Sequence, residues 1–194
     1  MTTAIVYDFE TTGLPLYGEP SEDPRQPHIV QLGVKVMDMI TRKPLQAVDV
    51  IVRPNGWEIP KEASDVHGIT TEMAYDMGIP EEAVTEILLE LWRPERPRLR
   101  VAYNESFDAR IMRIALKRHF DDAIADAWKE GQAECAMRMA NPILKKGRYS
   151  KLVDAYEFFT GRKLEGAHSA MADVDGCMAV YFAVKDGITE RVAA

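Results

Sequence analysis

The chain has 194 residues, of which 46% are hydrophobic and 28% are charged, as is ordinary for a globular domain with its own core. Its net charge of -7 argues against a protein that coats nucleic acid through a broad basic face, and no apolar run approaches the roughly 18 residues of a membrane span. We see no secretory signal, and two cysteines, Cys135 and Cys177, indicate reduced thiols rather than a disulfide framework. These features predict a cytoplasmic protein with no membrane partner.

The first part of the chain predicts three strands. Residues 4–9 are an apolar run typical of a buried strand, and residues 28–38 alternate as a half-buried strand does. A third strand is predicted over residues 45–54, after the turn sequence TRKP. Because this turn is so short, we expect the second and third strands to be antiparallel.

A long polar segment over residues 14–27 separates the first two strands and contains four prolines. Long loops in compact domains are often functional, and the alternative is an insertion over the surface. Nothing in the sequence decides between the two. No repeat or linker divides the rest, so we expect one domain over residues 1–194 with its core at about residues 4–184.

Helical patterns and one more strand follow. A short helix is predicted over residues 70–77, and residues 80–92 begin with a proline and two acidic residues, which favour a helix N-terminus. Residues 99–104 predict a short fourth strand. Over residues 106–120 the pattern is that of an amphipathic helix with Ser106 as its N-cap. The core positions predicted on this helix are Phe107, Ile111, Ile114 and Leu116.

Two helices complete the prediction. One covers residues 150–161, with Ser150 as its cap and Gly161 at its end, and the last long helix lies within residues 168–187. A last short strand is expected near Cys135. This order of elements predicts an α/β fold with a mixed sheet flanked by helices.

The first predicted strand ends in two carboxylates, Asp8 and Glu10, on either side of Phe9. Alternate residues of a strand point to the same side, so the two carboxylates project together and Phe9 faces the other way. Two negative charges so close together need a cation between them, or one of them must take up a proton.

Three further residues with chemical potential lie at the ends of predicted elements. Asp108 lies early in the helix after the fourth strand, and His168 precedes Asp173 by five residues. Residues five apart on a helix differ by about 140°, so His168 reaches the side of Asp173 only from just before the helix or from its first turn. Each residue alone has an ordinary structural explanation, such as a helix cap. Together they predict one cleft with four carboxylates and an imidazole.

Three motifs carry a resemblance to a known family. DFETTG, NESFD and HSAMAD, at residues 8–13, 104–108 and 168–173, resemble the three exonuclease motifs of the DEDDh family. VHGIT, at residues 66–70, resembles a segment between the first two motifs. The family includes the proofreading subunit of the bacterial replicative polymerase and ribonuclease T. The resemblance covers residues 5–181 and implies a ribonuclease H-like fold and 3′→5′ exonuclease activity.

The resemblance also implies roles for the residues of the predicted cleft. Asp8, Glu10, Asp108 and Asp173 would be metal ligands, and His168 would be the general base. Clustered acids cannot all stay ionised unaided, and hard oxygen ligands suit two Mg²⁺ (or Mn²⁺) ions. Histidine titrates at about pH 6.5 and can take a proton from water near neutral pH. The residues expected to bind the substrate are Thr11, Thr12, Gly13, Leu14, His67, Asn104 and Phe107.

The expected function is metal-dependent release of nucleoside 5′-monophosphates from the 3′ end of single-stranded DNA or RNA, with DNA favoured. The first alternative is a catalytically silent module that binds nucleic acid or docks on a polymerase, and the second is an unrelated metal enzyme such as a phosphatase. Two arrangements fit this function, a free-standing nuclease and a proofreading subunit with a polymerase partner. The chain carries no long tether after residue 184, which favours a free-standing nuclease.

Two features depart from the family, and a third pattern has two explanations. The loop after the first motif is longer and richer in proline, so the family resemblance does not define the shape of the substrate mouth. ECAMRMA, at residues 134–140, stands where many relatives have an Asp-Thr pair before a helix. The basic stretches at residues 93–100 and 145–151 are either solvated loops or a track for phosphates.

Overall fold

The computed structural model describes residues 2–192 and contains one mixed sheet. Its strands are β1 (Thr3–Thr11), β2 (Ile29–Asp38), β3 (Pro44–Arg53), β4 (Ile79–Pro80), β5 (Leu99–Ala102) and β6 (Ala133–Cys135). They lie in the order β4-β3-β2-β1-β5-β6. The pairs β1–β2 and β2–β3 are antiparallel, as predicted for β2 and β3, and the remaining pairs are parallel. The predicted strand near Cys135 is β6.

Eight helices are present among the described residues. They are α1 (Lys61–His67), α2 (Thr71–Met77), α3 (Glu81–Trp92), α4 (Glu105–His119), α5 (Asp122–Glu130), α6 (Ala136–Ala140), α7 (Leu152–Thr160) and α8 (Ala170–Lys185). The sequence predicted α2, α3, α4, α7 and α8. It missed α1, α5, α6 and the two-residue β4.

Two predicted helix caps are wrong. Ser106 lies inside the first turn of α4, and that helix has no side-chain cap. Ser150 lies before the start of α7 and is buried, because its hydroxyl is used in tertiary contacts. It contacts Asn141 Oδ1 at 2.7 Å and the Tyr103 hydroxyl at 2.8 Å. The predicted end of α7 at Gly161 is correct, since Gly161 is left-handed with φ 69°.

The sheet is covered on both faces, and the alternation along β1 assigns each side chain to a face. Ile5 and Phe9 belong to the core that packs against α3, α4 and α5, whereas Val6 belongs to the core under α7 and α8. Asp8 and Glu10 have the same parity as Val6, so they face the α8 side. Of the predicted core residues on α4, Ile111, Ile114 and Leu116 are buried and Phe107 is half-buried.

Two expectations from composition can be compared with the structure. Both cysteines are free thiols, and the Cys135 thiol donates to the carbonyl of Tyr103 at 3.2 Å. Across residues 2–192, every helix is too short or too polar to cross a membrane.

Candidate active site

Three carboxylates from two elements converge at the end of β1. The side chains of Asp8 and Glu10 lie on one face of the strand, and Asp173 reaches them from the first turn of α8. Carboxylate oxygens of the three residues lie within 4.8 Å of one another. Phe9, between the two strand acids, is 4% exposed in the opposite core, so the strand is held by its apolar side while its polar side faces the site.

The sheet surface under α8 brings Asp173 to β1. Gly33 of β2 pairs with Asp8, and a Cβ atom on Gly33 would lie 2.5 Å from the carbonyl carbon of Ala170. Only glycine therefore permits the start of α8 to approach the sheet so closely. Gln31 fixes the same point, because its Oε1 accepts the backbone N–H of Ala170 at 3.2 Å. This side chain replaces the missing cap of α8.

Asp108 adds the fourth carboxylate to the acidic cluster. It comes from α4, the helix that follows β5, the second neighbour of β1 in the sheet. It lies in the first turn of α4 and is buried, and its Oδ1 accepts the backbone N–H of Phe9 at 3.2 Å. This amide is available because β5 pairs with β1 only as far as Val6 and Val101. The hydrogen bond fixes the carboxyl of Asp108 beside the end of β1, where its charge acts on Asp8.

His168 lies just before α8, at the place that its spacing from Asp173 requires. Its backbone is left-handed, with φ 69°, an uncommon conformation for a residue other than glycine. The side chain is exposed and lines the same cleft as Asp8, Asp108 and Asp173. The tight turn therefore holds the imidazole at the rim of the acidic cluster instead of on the face of the helix.

The pKa of every carboxyl in the cluster is raised above its ordinary value. Burial raises the pKa of Asp8 most, and the charges of Asp108, Asp173 and Glu10 raise it further. Burial and the charge of Asp173 raise the pKa of Glu10 to about 7. Burial also raises the pKa of Asp108, although the hydrogen bond from the Phe9 amide lowers it. Burial likewise raises the pKa of Asp173, although His168 lowers it. The cluster therefore resists carrying its full negative charge alone.

The residues fit a divalent cation. Oδ1 of Asp173 is buried and lacks a hydrogen-bond partner anywhere in residues 2–192, which is costly for a carboxylate unless a cation binds it. The oxygens of Asp8, Glu10 and Asp173 form a set of hard ligands, the kind that Mg²⁺ and Mn²⁺ prefer. The acidic cluster is thus a candidate metal site.

The cluster opens into a cleft of about 430 Å³. Three of the residues expected to bind substrate, Leu14, Asn104 and Phe107, line this cleft. Three of the four carboxylates, Asp8, Asp108 and Asp173, line it as well. The side chain of Leu14 is conspicuous, because it is 76% exposed at the mouth. An exposed leucine beside a polar centre offers an apolar surface for a base.

The turn after the strand acids is held by its own hydroxyl groups. Thr11 donates its hydroxyl to the carbonyl of Gly13 at 2.8 Å, and the hydroxyl of Thr12 accepts the backbone N–H of His28 at 2.9 Å. A second bond joins the Thr12 N–H to the His28 carbonyl at 3.0 Å. Because both hydroxyl groups are engaged within the protein, we expect Thr11, Thr12 and Gly13 to contact substrate through their backbone atoms. These contacts stay predictions.

His67 is close enough to the site to sense His168. Its Nδ1 accepts the backbone N–H of Ile69 at 3.1 Å, so the neutral ring carries its proton on Nε2. Burial lowers the pKa of His67, and the charge of His168 lowers it further. Weak hydrogen bonding to the Thr11 backbone acts in the opposite direction and raises this pKa. Nε2 is buried, and the nearby Thr11 backbone does not form a well-aligned hydrogen bond with it. Its role in substrate binding stays a prediction.

Sequence reasoning missed one wall of the cleft. This wall consists of Tyr103, Tyr149, Lys151, Leu152 and Val153. The Tyr103 hydroxyl fixes it by donating to the Lys151 carbonyl at 3.1 Å and contacting Ser150. The only sequence signal was the basic stretch at residues 145–151, and its contact with Tyr103, nearly fifty residues earlier, is a tertiary one.

The proline-rich segment 14–27 is an anchored structure. Gln26, 1% exposed, donates to the carbonyls of Leu16 and Pro20 and accepts the N–H of Leu16 at 3.0 Å. One face of α4 holds the segment from outside through Arg110, Arg113, Lys117 and Arg118. The segment is therefore fastened to the helix that carries Asp108, and it places Leu14 at the mouth of the cleft.

The fold and site define an α/β domain whose acidic centre fits a divalent cation, and the comparison with known families is specific. Residues 5–181 match the RNase T family, described as exonuclease. The chain belongs to this exonuclease family, which confirms the assignment made from the motifs. The chain is 31% identical over 152 residues to the PolC-type DNA polymerase III of Thermotoga petrophila, a match that covers 76% of this chain and 9% of that polymerase.

Solved structures confirm the fold class. A zinc-bound complex of E. coli Exonuclease I with single-stranded DNA is similar with a TM-score of 0.75 and 19% identity, over 97% of this chain and 41% of that one. Exonuclease I from Methylocaldum szegediense is 25% identical with a TM-score of 0.70, over 96% of this chain and 41% of that one. The chain thus spans less than half the length of these relatives.

Proposed function

We propose that the protein is a 3′→5′ exonuclease that removes nucleoside 5′-monophosphates from single-stranded nucleic acid, preferring DNA to RNA. The observation that carries the proposal is the convergence of Asp8, Glu10, Asp173, Asp108 and His168 on one cleft in a chain of the exonuclease family. A silent binding module would have no chemical use for four neighbouring carboxylates whose pKa values are all raised, chiefly by burial.

The acidic cluster would hold two Mg²⁺ or Mn²⁺ ions through Asp8, Glu10, Asp108 and Asp173. Such cations supply neutralisation of the carboxylates and stabilise the charge on the attacking and leaving oxygens of phosphodiester hydrolysis. His168 takes the proton of the attacking water as general base. A new bond forms between water oxygen and phosphorus while the bond from phosphorus to the 3′ oxygen breaks. The 3′ oxygen leaves with the electron pair of that bond and takes a proton from solvent, so the products are a nucleoside 5′-monophosphate and a shortened strand with a 3′-hydroxyl. Because His168 is exposed, it can return its proton to solvent.

The mouth of the cleft would bind the last nucleotide of the strand. Leu14 and Phe107 offer apolar surface to the base, and Asn104 offers a hydrogen-bonding amide. The Nε2–H of His67 is a buried donor that a sugar or phosphate oxygen would satisfy. These contacts hold the scissile phosphate against the carboxylates, and positioning is the main contribution of the residues that carry no charge.

Two relatives support DNA as the preferred polymer. E. coli Exonuclease I was solved with single-stranded DNA, and the other relative is a DNA polymerase. The similarity to the PolC-type polymerase also supports a polymerase as partner, because the matched stretch is a small part of that polymerase chain. The free thiols of Cys135 and Cys177 support a reducing compartment such as the cytoplasm.

The deciding experiment uses 5′-labelled single-stranded DNA and RNA of one sequence, incubated with the protein in Mg²⁺, Mn²⁺ or EDTA. We expect a ladder that shortens from the 3′ end, faster on DNA, and no ladder in EDTA. The Asp8→Asn variant should produce no ladder. Asp76→Asn makes the same chemical change on an exposed residue of α2 and should act as wild type.

Each other outcome has a definite meaning. Cleavage by Asp8→Asn at the wild-type rate would remove the acidic cluster from the mechanism. Absence of cleavage with either metal, together with strand binding, would favour the silent module. Faster cleavage of RNA would reverse the substrate preference and leave the reaction in place.

A further inference from the structure

A second groove adjoins the active-site cleft. We call it the outer groove; it has a volume of about 780 Å³, and its walls are formed by Tyr17, the start of α4, α6 and the segment 141–149. Asn104 and Tyr149 line both the outer groove and the cleft. A chain molecule whose end occupies the cleft therefore finds the outer groove directly behind that end.

The outer groove is basic in an acidic protein. Arg138, Lys146 and Arg148 line it, and none of the lining residues is an aspartate or a glutamate. Among residues 2–192, Lys146 and Arg148 form no ion pair, whereas Lys117 and Arg118 on the nearby α4 both do. Arg138 also lies beyond ion-pair distance of any carboxylate in the described part of the chain, although its charge acts on nearby Glu105. Cations left unpaired by a chain of net charge -7 indicate an anion that is not part of the chain.

The basic line continues into the active site. Lys151 lies five residues after Lys146 in the basic stretch at residues 145–151, and it lines the cleft together with Asp8. The hydroxyl of Tyr103 contacts the Ser150 hydroxyl and donates to the Lys151 carbonyl. These contacts hold the C-terminal end of the basic stretch in place. Positive charge therefore runs from the outer groove to the acidic cluster, as a phosphate backbone would require.

Two exposed aromatic rings stand on the same surface. Tyr17 is 66% exposed and Tyr149 is 63% exposed, and they reach the outer groove from two segments far apart in the chain. Burial raises the pKa of Tyr17 and the charge of Asp108 raises it further, which places this ring near the acidic cluster. Exposed aromatic side chains between cations form the surface on which single-stranded bases stack.

We infer that the outer groove binds the unpaired nucleotides that precede the 3′ end, with Lys146 and Arg148 on their phosphates and Tyr17 and Tyr149 against their bases. The inference rests on the proposed function for the direction of the strand. It identifies single-stranded nucleic acid as the ligand, because a duplex would not present its bases to the tyrosines. It also explains the basic stretch at residues 145–151 as a phosphate track.

The first test measures binding alone, in EDTA, so that it does not depend on cleavage. Fluorescence anisotropy with a single-stranded DNA of about ten nucleotides is compared for wild type and Lys146→Gln/Arg148→Gln. We expect the affinity to fall at least tenfold and the slope of log affinity against log salt to decrease by about 1.4, since each phosphate contact contributes about 0.7 on a single strand. Unchanged affinity and slope would overturn the inference.

The matched control is Lys43→Gln/Arg53→Gln. It changes the net charge by the same amount on exposed residues at or beside β3, towards the opposite side of the sheet from β6. We expect wild-type affinity. An equal loss in both double variants would show that only overall charge matters, and it would contradict a specific groove.

The second test separates bases from phosphates. Tyr17→Ala should weaken binding of the normal strand five- to tenfold, and it should leave binding of an abasic strand of the same length unchanged. An equal effect on both strands would remove the stacking part of the inference. Thermal unfolding of each variant confirms that the fold is intact.

The third test distinguishes failure of the outer groove from failure of the proposed function. A nitrophenyl ester of thymidine 5′-monophosphate occupies only the cleft, whereas the ten-nucleotide strand reaches the outer groove as well. In Lys146→Gln/Arg148→Gln the ratio of kcat/KM on the strand to kcat/KM on the ester should fall about tenfold. A constant ratio would overturn the groove. If the wild type cleaved neither the strand nor the ester, only the proposed exonuclease activity would be overturned. The binding experiment in EDTA would still test the outer groove.

Discussion

The α-carbon of Gly33 faces the backbone of Ala170 so closely that any side-chain carbon would lie 2.5 Å from it. Gly33→Ala should therefore push the start of α8 away from β2 and move Asp173 from the acidic cluster. We expect a loss of about 1–3 kcal/mol in the free energy of unfolding and a loss of exonuclease activity larger than this destabilisation explains. Urea denaturation and the 3′-end ladder measure the two effects.

Gly18→Ala is the matched control for this substitution. A Cβ atom on Gly18 meets nothing within 4 Å, so the change should leave activity intact. Stability should stay the same or rise by up to about 1 kcal/mol, because alanine restricts the unfolded chain. Wild-type activity in Gly33→Ala would show that α8 can shift without disturbing the site.

Glu10→Gln should have opposite effects on stability with and without metal. Burial and the charge of Asp173 raise the pKa of Glu10 from 4.5 to about 7. A carboxyl with a raised folded-state pKa favours the fold while protonated, so its contribution is lost as pH rises from about 4.5 through about 7. In EDTA at about pH 8 the variant should unfold at higher urea concentration than wild type.

Magnesium should reverse that order. A cation that binds only the folded protein raises the free energy of unfolding by mass action, and Glu10→Gln loses part of this gain. Glu86→Gln, an exposed change on α3, should follow wild type in both conditions. Higher stability of wild type in EDTA would contradict the electrostatic strain derived for the cluster.

His168→Gln should lower kcat by about 10² to 10⁴ while strand binding and the stabilisation by Mg²⁺ persist, because a general base acts in the chemical step. His67→Gln should instead act mainly on KM, since His67 faces the substrate in the proposed function. Single-turnover kinetics with anisotropy measure the two effects, and a large loss of binding in His168→Gln would assign it to substrate binding.

Glu81 is the charged junction that fixes the start of β2. It accepts the N–H of Ile29 at 2.9 Å, and its carboxylate contacts His28, Arg118 and His119 at 3.0 Å each. Burial alone would raise its pKa, but these partners hold the pKa of Glu81 well below its usual range. Removing one partner of a buried ion network leaves the remaining charges uncompensated. Glu81→Gln should therefore lower the free energy of unfolding by about 3–5 kcal/mol.

The pH dependence of this cost has a definite sign. A carboxyl with a lowered folded-state pKa stabilises the fold above its unfolded pKa of about 4.3, and the contribution is lost as pH falls below that value. The difference in unfolding free energy between wild type and Glu81→Gln should therefore be largest near neutral pH and shrink below about pH 4. The exposed neighbour Glu82→Gln should show no such dependence. A difference that grows in acid would contradict the role of Glu81 as a charged junction.

Some parts of the site were predictable from sequence because they depend on local geometry. The period of two along β1 places Asp8 and Glu10 on one face, and the angle between residues on a helix places His168 before α8. The basic wall with Tyr149 and the junction at Glu81 were not predictable. They depend on contacts such as Tyr103 with Ser150, 47 positions apart, for which the chain gives no local signal.

By itself, the sequence determined the order of the main strands and helices, the family and the chemical identity of the acidic cluster, because strand alternation, helix periodicity and motif spacing are properties of neighbouring residues. Only the tertiary structure decided how segment 14–27 is anchored, how closely α8 approaches Gly33 and that a basic outer groove continues the cleft. The contact of Arg110 with the carbonyl of Glu19 joins residues 91 positions apart. Such contacts form only when the packed core brings distant segments together, so the shape of the substrate path is decided by packing and not by local propensity.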